Sequence, residues 1–218
     1  MNALKPFVAQ WGLFPVILIT MFIAYFALNN YRDSDPRHSL LVSQALITEG
    51  TTRLDSYADI MENDYRAAWH DGHVYYAYPP APSLLSVPVV WVAWQLGYDM
   101  SQAEDDYALQ RVMSALLAGL IVLFLYLLAR EFLPPLPSLV LAASMMWGTL
   151  LMSTVGSALW NGGYLVALEL CVLWLVVGAS RAEGRGKGWV RGGVIGFCLW
   201  GAFLTRPTAA LFILVILA

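Results

Sequence analysis

The chain has 218 residues, 59% of them hydrophobic and 12% charged, with a formal net charge of −3. Soluble domains carry about 25% charged residues, so the composition excludes an ordinary water-soluble domain and points to an all-α polytopic membrane protein. Twelve of the fifteen acids fall between Tyr31 and Tyr107, beside four Lys or Arg, so the polar chemistry is concentrated there.

The apolar run after Lys5 is too long for a signal-peptide core and no small-residue cleavage site closes it. It therefore reads as an uncleaved first span at about 11–29, with Pro15 tolerated near its start. An external polar segment follows, at about 30–107. In "NNYRDSDPRHSLLVSQALITEG", residues 29–50, Pro36 to Glu49 predicts a short amphipathic helix. Asp35 or Ser34 takes the N-cap, Pro36 the first helical position, and Gly50 lies just past the end. Leu40, Leu41, Ala45 and Leu46 recur at helical spacing and suit the membrane surface. Asp33 and Asp35 have two readings. One is a helix cap, worth about 1 kcal/mol; the other is a general base held ionised at a helix start.

In "WHDGHVYYAYPPAPS", residues 69–83, His70, Asp71 and His73 resemble part of a metal site, but Asp-Gly reads more simply as a turn. Tyr75, Tyr76 and Tyr78 suit an interfacial aromatic belt, and Ser83 to Leu96 suits a second interfacial helix. The acidic run Glu104 to Tyr107, with Arg111 one turn on, reads as the charged first turn of a helix.

A strong span covers 108–130, about 34 Å at helical rise. The "PPLP" turn, Pro134 to Pro137, leads into further spans at about 138–152 and 159–179. The loop that follows carries Arg181, Arg185, Lys187 and Arg191. The positive-inside rule places it, and the N-terminus, in the cytoplasm and the acidic segment outside. Arg32 and Arg37 run against this, but arginines in long translocated loops weigh less. A fifth span, 192–205, is interrupted by Arg206-Pro207, and a sixth begins at 208. The sequence stops inside an apolar segment at residue 218, so it is expected to be the N-terminal part of one longer transmembrane domain. Glu169 and Arg206, among apolar residues, call for a cavity or a partner. Cys171 and Cys198 lie in apolar runs, so no disulfide framework is expected.

The order of features is more telling than any one of them. An aspartate heads a short helix ending in Gly50, "DGHVYYAYPPAPSLLSVP" follows, then a long span, and later "GAFLTRPTAAL". This resembles the GT-C superfamily of membrane glycosyltransferases, closest in style to the protein mannosyltransferase and aminoarabinose transferase branch. The resemblance implies a GT-C-like helix bundle with interfacial helices in its first external loop. It also implies a first-loop acid as base, a polyprenyl-phosphate sugar as donor, and a hydroxyl acceptor on a protein, lipid or glycan. Asp35 matches the family aspartate by register on the helix and its glycine, with Asp33 as the alternative. Asp35-Pro36 stands where relatives often have Asp-Glu, and Tyr78 where they often have lysine. That leaves Arg206 as the substitute for phosphate recognition, which a guanidinium suits.

The candidate substrate-binding residues are Arg206, Arg37, His73, Tyr76 and Tyr78. The expected setting is the inner (plasma) membrane, with membrane lipids and the lipid-linked donor as partners. No nucleic acid, resident cofactor or metal ligand is assigned, and divalent-metal dependence stays open. A transporter or flippase, with Glu169 and Arg206 lining a path, is the main rival to the transferase. A non-catalytic assembly subunit is the other.

Overall fold

In the computed structural model, which describes residues 4–28, 35–181 and 188–218, the long apolar runs close their backbone hydrogen bonds as helices. Helix α1 (Leu4–Ile23) continues into a π-helical turn, Ala24–Leu28. Such a turn leaves carbonyls without their usual donors, and Arg111 fills one vacancy. Its Nε donates to the Tyr25 carbonyl at 3.0 Å, and its guanidinium stacks on the Tyr25 ring at 4.2 Å.

Helix α2 (Ser39–Thr48), a short α3 (Ala58–Met61), strands β1 (Ala67–His70) and β2 (His73–Tyr76), and α4 (Ala81–Gln95) build a polar cap. Helix α5 (Ala103–Arg130) is central and packs against α1, α6 (Pro135–Trp147) and α8 (Asn161–Arg181). Helices α7 (Leu150–Ser157), α9 (Gly188–Thr205) and α10 (Ala210–Leu217) complete the order.

Three expectations change. First, the 138–152 span is broken: α6 and α7 meet at 62° around Gly148. The Thr149 side chain caps the new helix by accepting from Leu151 N at 3.2 Å. A Cβ at Gly148 would stand 2.6 Å from the Ser144 carbonyl oxygen, so only glycine fits this corner. Gly148→Ala is expected to cost about 1–3 kcal/mol in thermal unfolding of the detergent-solubilised protein. Gly162→Ala, with nothing within 4 Å of its added carbon, is expected to cost little.

Second, α2 does not lie on a surface. Leu40, Leu41 and Ala45 are fully buried, because α2 packs along α4 inside the cap, and Leu46 is half-buried. Gln44 fastens it there, donating to Asp99 Oδ1 and accepting from Met100 N, each at 2.7 Å. Gly50 follows its end with φ 68°, as the sequence predicted. Helix α4 closes the same way at Gly97, where Tyr98 N reaches back to the Ala93 carbonyl at 3.1 Å.

Third, the cap holds a β-hairpin that the all-helical reading did not contain. Asp71 and Gly72 both have positive φ, 51° and 79°, the geometry of a two-residue hairpin turn. β-Formers flank it, with Trp69 paired to Val74 and Ala67 to Tyr76.

Among the described residues, two helices, Ala103–Arg130 and Asn161–Ser180, are long and apolar enough to cross a membrane. The bent α6–α7 pair adds a third if it counts as one span. The sequence predicted six. The 138–152 run is the bent pair, and Gly12–Phe26 and Pro207–Leu217 are shorter apolar helices within the described residues. Phe14, Phe22, Leu116, Leu120, Phe197 and Trp200 all point outward, the arrangement of a helix bundle whose surroundings are apolar.

Candidate active site

Residues 35–38 form a turn, closed by Ser39 N donating to the Pro36 carbonyl at 2.9 Å. The helix begins after it, and His38, at φ 70°, occupies the N-cap position without a side-chain cap bond. Asp35 is therefore not the N-cap, contrary to the sequence reading. Its carboxylate is engaged otherwise: Tyr65 donates its hydroxyl to Oδ1 at 3.0 Å, and the Tyr78 hydroxyl stands near it. The Tyr76 hydroxyl donates to the Asp35 backbone carbonyl, which anchors the turn to the end of β2. Burial first, then the neighbouring Asp35 carboxylate, pushes the Tyr78 hydroxyl up to about 12, and burial drives Tyr76 higher. Both phenols stay protonated at neutral pH and act as donors. Asp33, the alternative base, lies outside the described residues, as do Ser34 and Arg32.

A charged cluster supports the turn. Arg66 is 2% exposed; its Nη1 donates to Asp64 Oδ2 at 2.8 Å, and Asp64 Oδ1 accepts the Arg66 backbone N–H at 2.9 Å. His38 Nε2 meets the same Asp64 Oδ2 at 3.1 Å. Asp106, on the first turn of α5, is buried among the His38 backbone N–H and the guanidinium groups of Arg37 and Arg66. Its Oδ2 accepts from Gln110 at 2.8 Å, and its Oδ1 has no hydrogen-bond partner among the described residues.

Burial, reinforced by Arg37 and Arg66 and opposed by Asp64, holds the His38 imidazole below its ordinary value of 6.5. The unfolded chain then takes up a proton that the native protein resists. This contribution to stability is present above 6.5 and is lost as pH falls below it. The unfolding midpoint is expected to drop across that window, and His38→Gln is expected to flatten the drop. A His38→Gln curve parallel to wild type would contradict this.

The other candidates are distributed as follows. Arg37 belongs to the cluster with His38 and Asp106. His73 sits beside the hairpin turn, at the far end of β2 from Tyr76, and its Nδ1 pairs with Asp55 Oδ2 at 2.7 Å. Asp55 also accepts from Val74 N at 2.8 Å, and that bond, followed by the His73 bond, holds its carboxyl below the ordinary range. His73 thus fastens the hairpin and stands apart from Asp35. His70 pairs with Asp71 at 3.3 Å in the open. Among the described residues, no group of three or more His, Cys, Asp or Glu side chains is arranged to hold a metal ion.

Arg206 is exposed at the end of α9. Helices α8 and α9 run antiparallel, with Cys171 beside Cys198, and a Cβ at Gly201 would lie 3.3 Å from Leu168. That register brings Arg206 level with the start of α8. There Tyr164 hydrogen-bonds Ser86 of the cap helix α4 at 2.7 Å. Arg206 and Asp35 accordingly lie at the same end of the bundle. Glu169 is half-buried midway along α8. An apolar cavity of 380 Å³ runs below the cap, lined by Leu85 and Val89 of α4, Met113 and Leu117 of α5, Tyr164 and Cys198.

Tyr65, Arg66, Asp64 and Asp106 were not identified from the sequence. The first three sit in an acidic stretch without a motif, and Asp106 is one of three adjacent acids that serve equally as a first helix turn. No protein-family model, curated protein or solved structure matches this chain.

Proposed function

We propose that this protein is a membrane glycosyltransferase that moves a sugar from a polyprenyl phosphate to a hydroxyl acceptor at the outer membrane face. One observation carries the reading. The Asp35 carboxylate, free of any helix-capping role, is held by the Tyr65 phenol, with the Tyr78 phenol near it, at the polar end of an apolar helix bundle. A general base needs a fixed, ionised carboxylate within hydrogen-bond reach of the proton it removes. The GT-C resemblance supports the same residue.

In the proposed reaction, Asp35 takes the proton of the acceptor hydroxyl while that oxygen attacks the anomeric carbon. The bond from that carbon to the phosphate oxygen breaks, and polyprenyl phosphate leaves with the electron pair. One displacement inverts the anomeric centre. Phosphate is a good leaving group, so the paired acids of glycoside hydrolases are not required. A guanidinium placed near the departing phosphate lowers the cost of its charge; Arg206, at the same end of the bundle, takes that role. The apolar cavity beneath the cap suits the prenyl chain. In this reading the bundle is polytopic, lies in the inner membrane and faces its cap outward.

Transfer from a radiolabelled polyprenyl-phosphate sugar to membrane acceptors, in vesicles carrying the protein, tests the proposal. Label appearing in acceptor is expected. Label that crosses the bilayer while remaining on the lipid would establish a flippase instead.

A further inference from the structure

We propose that the outward face of the Tyr65 ring is a platform for a pyranose, which makes the acceptor a carbohydrate; this rests on Asp35 being the base. Tyr65 is 63% exposed, yet its ring is fixed at two places. Its hydroxyl is tied to Asp35 Oδ1 at 3.0 Å, and the Arg66 guanidinium lies 4.4 Å from the ring centroid. Arg66 is itself 2% exposed, so it occupies the protein side of the ring and leaves the opposite face to solvent. An aromatic ring held this way loses little conformational freedom when a ligand stacks on it, which favours binding.

The rim of the platform is polar. The Asp35 carboxylate and the Tyr78 hydroxyl meet the Tyr65 hydroxyl there. An aromatic face carries partial negative charge and attracts the partial positive charge of C–H groups. A pyranose presents such a face of C–H groups and, around its edge, hydroxyls. Stacked on Tyr65, it sets an edge hydroxyl against Asp35, where deprotonation is needed. A serine or threonine side chain has a hydroxyl but no face to stack. A long-chain alcohol has a chain that suits the apolar cavity better than an open ring.

The test uses the full chain in nanodiscs, with no donor present. Saturation-transfer NMR is recorded with methyl gluco-, manno- and galactopyranoside, and with glycerol as a polyol lacking a ring face. Saturation of the C–H protons of at least one pyranoside, and none of glycerol, is expected. Tyr65→Phe keeps the ring and retains the signal, whereas Tyr65→Leu reduces it about fivefold, the size of one aromatic contact. Thermal melts confirm that both variants are folded. Equal signals in Tyr65→Leu and wild type, or no pyranoside signal in wild type, would overturn the platform. Because no turnover is read, the two ideas fail separately. Pyranoside binding without transfer activity removes the base and keeps the platform. Transfer to a peptide acceptor without pyranoside binding does the reverse.

Discussion

Asp35→Asn is expected to abolish sugar transfer while expression, membrane insertion and unfolding midpoint stay close to wild type. General-base catalysis contributes about 10²- to 10⁴-fold, and asparagine cannot accept the proton. The shape is kept, since asparagine still offers Oδ1 to the Tyr65 hydroxyl. The turn itself is anchored by other groups. Tyr76 binds the Asp35 backbone carbonyl, and Ser39 N binds the Pro36 carbonyl. Loss of activity therefore reports on chemistry and not on collapse of the cap. Asp35→Ala is expected to lose activity equally, and to loosen Tyr65 as well. Full activity of Asp35→Asn in the radiolabel assay would remove Asp35 from the base role.

The second large effect is on stability. Arg66→Ala is expected to destabilise the protein by about 3–5 kcal/mol, the cost of removing one partner from a buried charged pair. Arg66 is almost completely enclosed and binds Asp64, so its loss leaves that carboxylate with no guanidinium partner, only His38 and the backbone N–H of residue 66, and leaves Asp106 nearby without one of its two neighbouring guanidinium groups. Arg66 also backs the Tyr65 ring, so Tyr65 becomes mobile beside Asp35. Chemical or thermal unfolding of purified protein measures the effect. Arg66→Met combined with Asp64→Leu is expected to cost less than the two single changes added together, because the double change leaves no lone buried charge between them. A melting curve of Arg66→Ala within about 0.5 kcal/mol of wild type, typical of a surface substitution, would show that the cluster contributes little.

These two expectations differ in how far local sequence leads to them. Asp35 stood out because an Asp-Pro pair beyond a long apolar run is conspicuous. Its neighbours did not. Tyr65 is 30 residues away, Tyr76 is 41 away and Asp106 lies on another helix. The Asp-Gly turn was read correctly as a turn, but the hairpin around it needed strand pairing across the cap. Tyr76 and Tyr78 were read both as an aromatic belt and as substrate-binding residues; the fold sets both against Asp35. His73, three residues from Tyr76, was grouped with them, yet a strand carries it to the other end of the hairpin. Proximity in sequence is a poor guide along an extended chain, which advances about 3.3 Å per residue.

The sequence by itself determined the helical character, the segregation of polar residues into one segment, the helix stop at Gly50, and the interruption at Arg206-Pro207. These follow from local causes. Apolar runs satisfy their own backbone as helices, glycine accepts positive φ, and proline lacks an N–H. Tertiary structure alone decided that α2 is enclosed, that the 138–152 run bends, that Arg111 turns back to α1, and that Asp35 faces two phenols instead of capping its helix. Each of those depends on which surfaces meet. A carboxylate at a turn reaches either its own backbone or a neighbour's hydroxyl, and only the packed cap brings the Tyr65 hydroxyl within range.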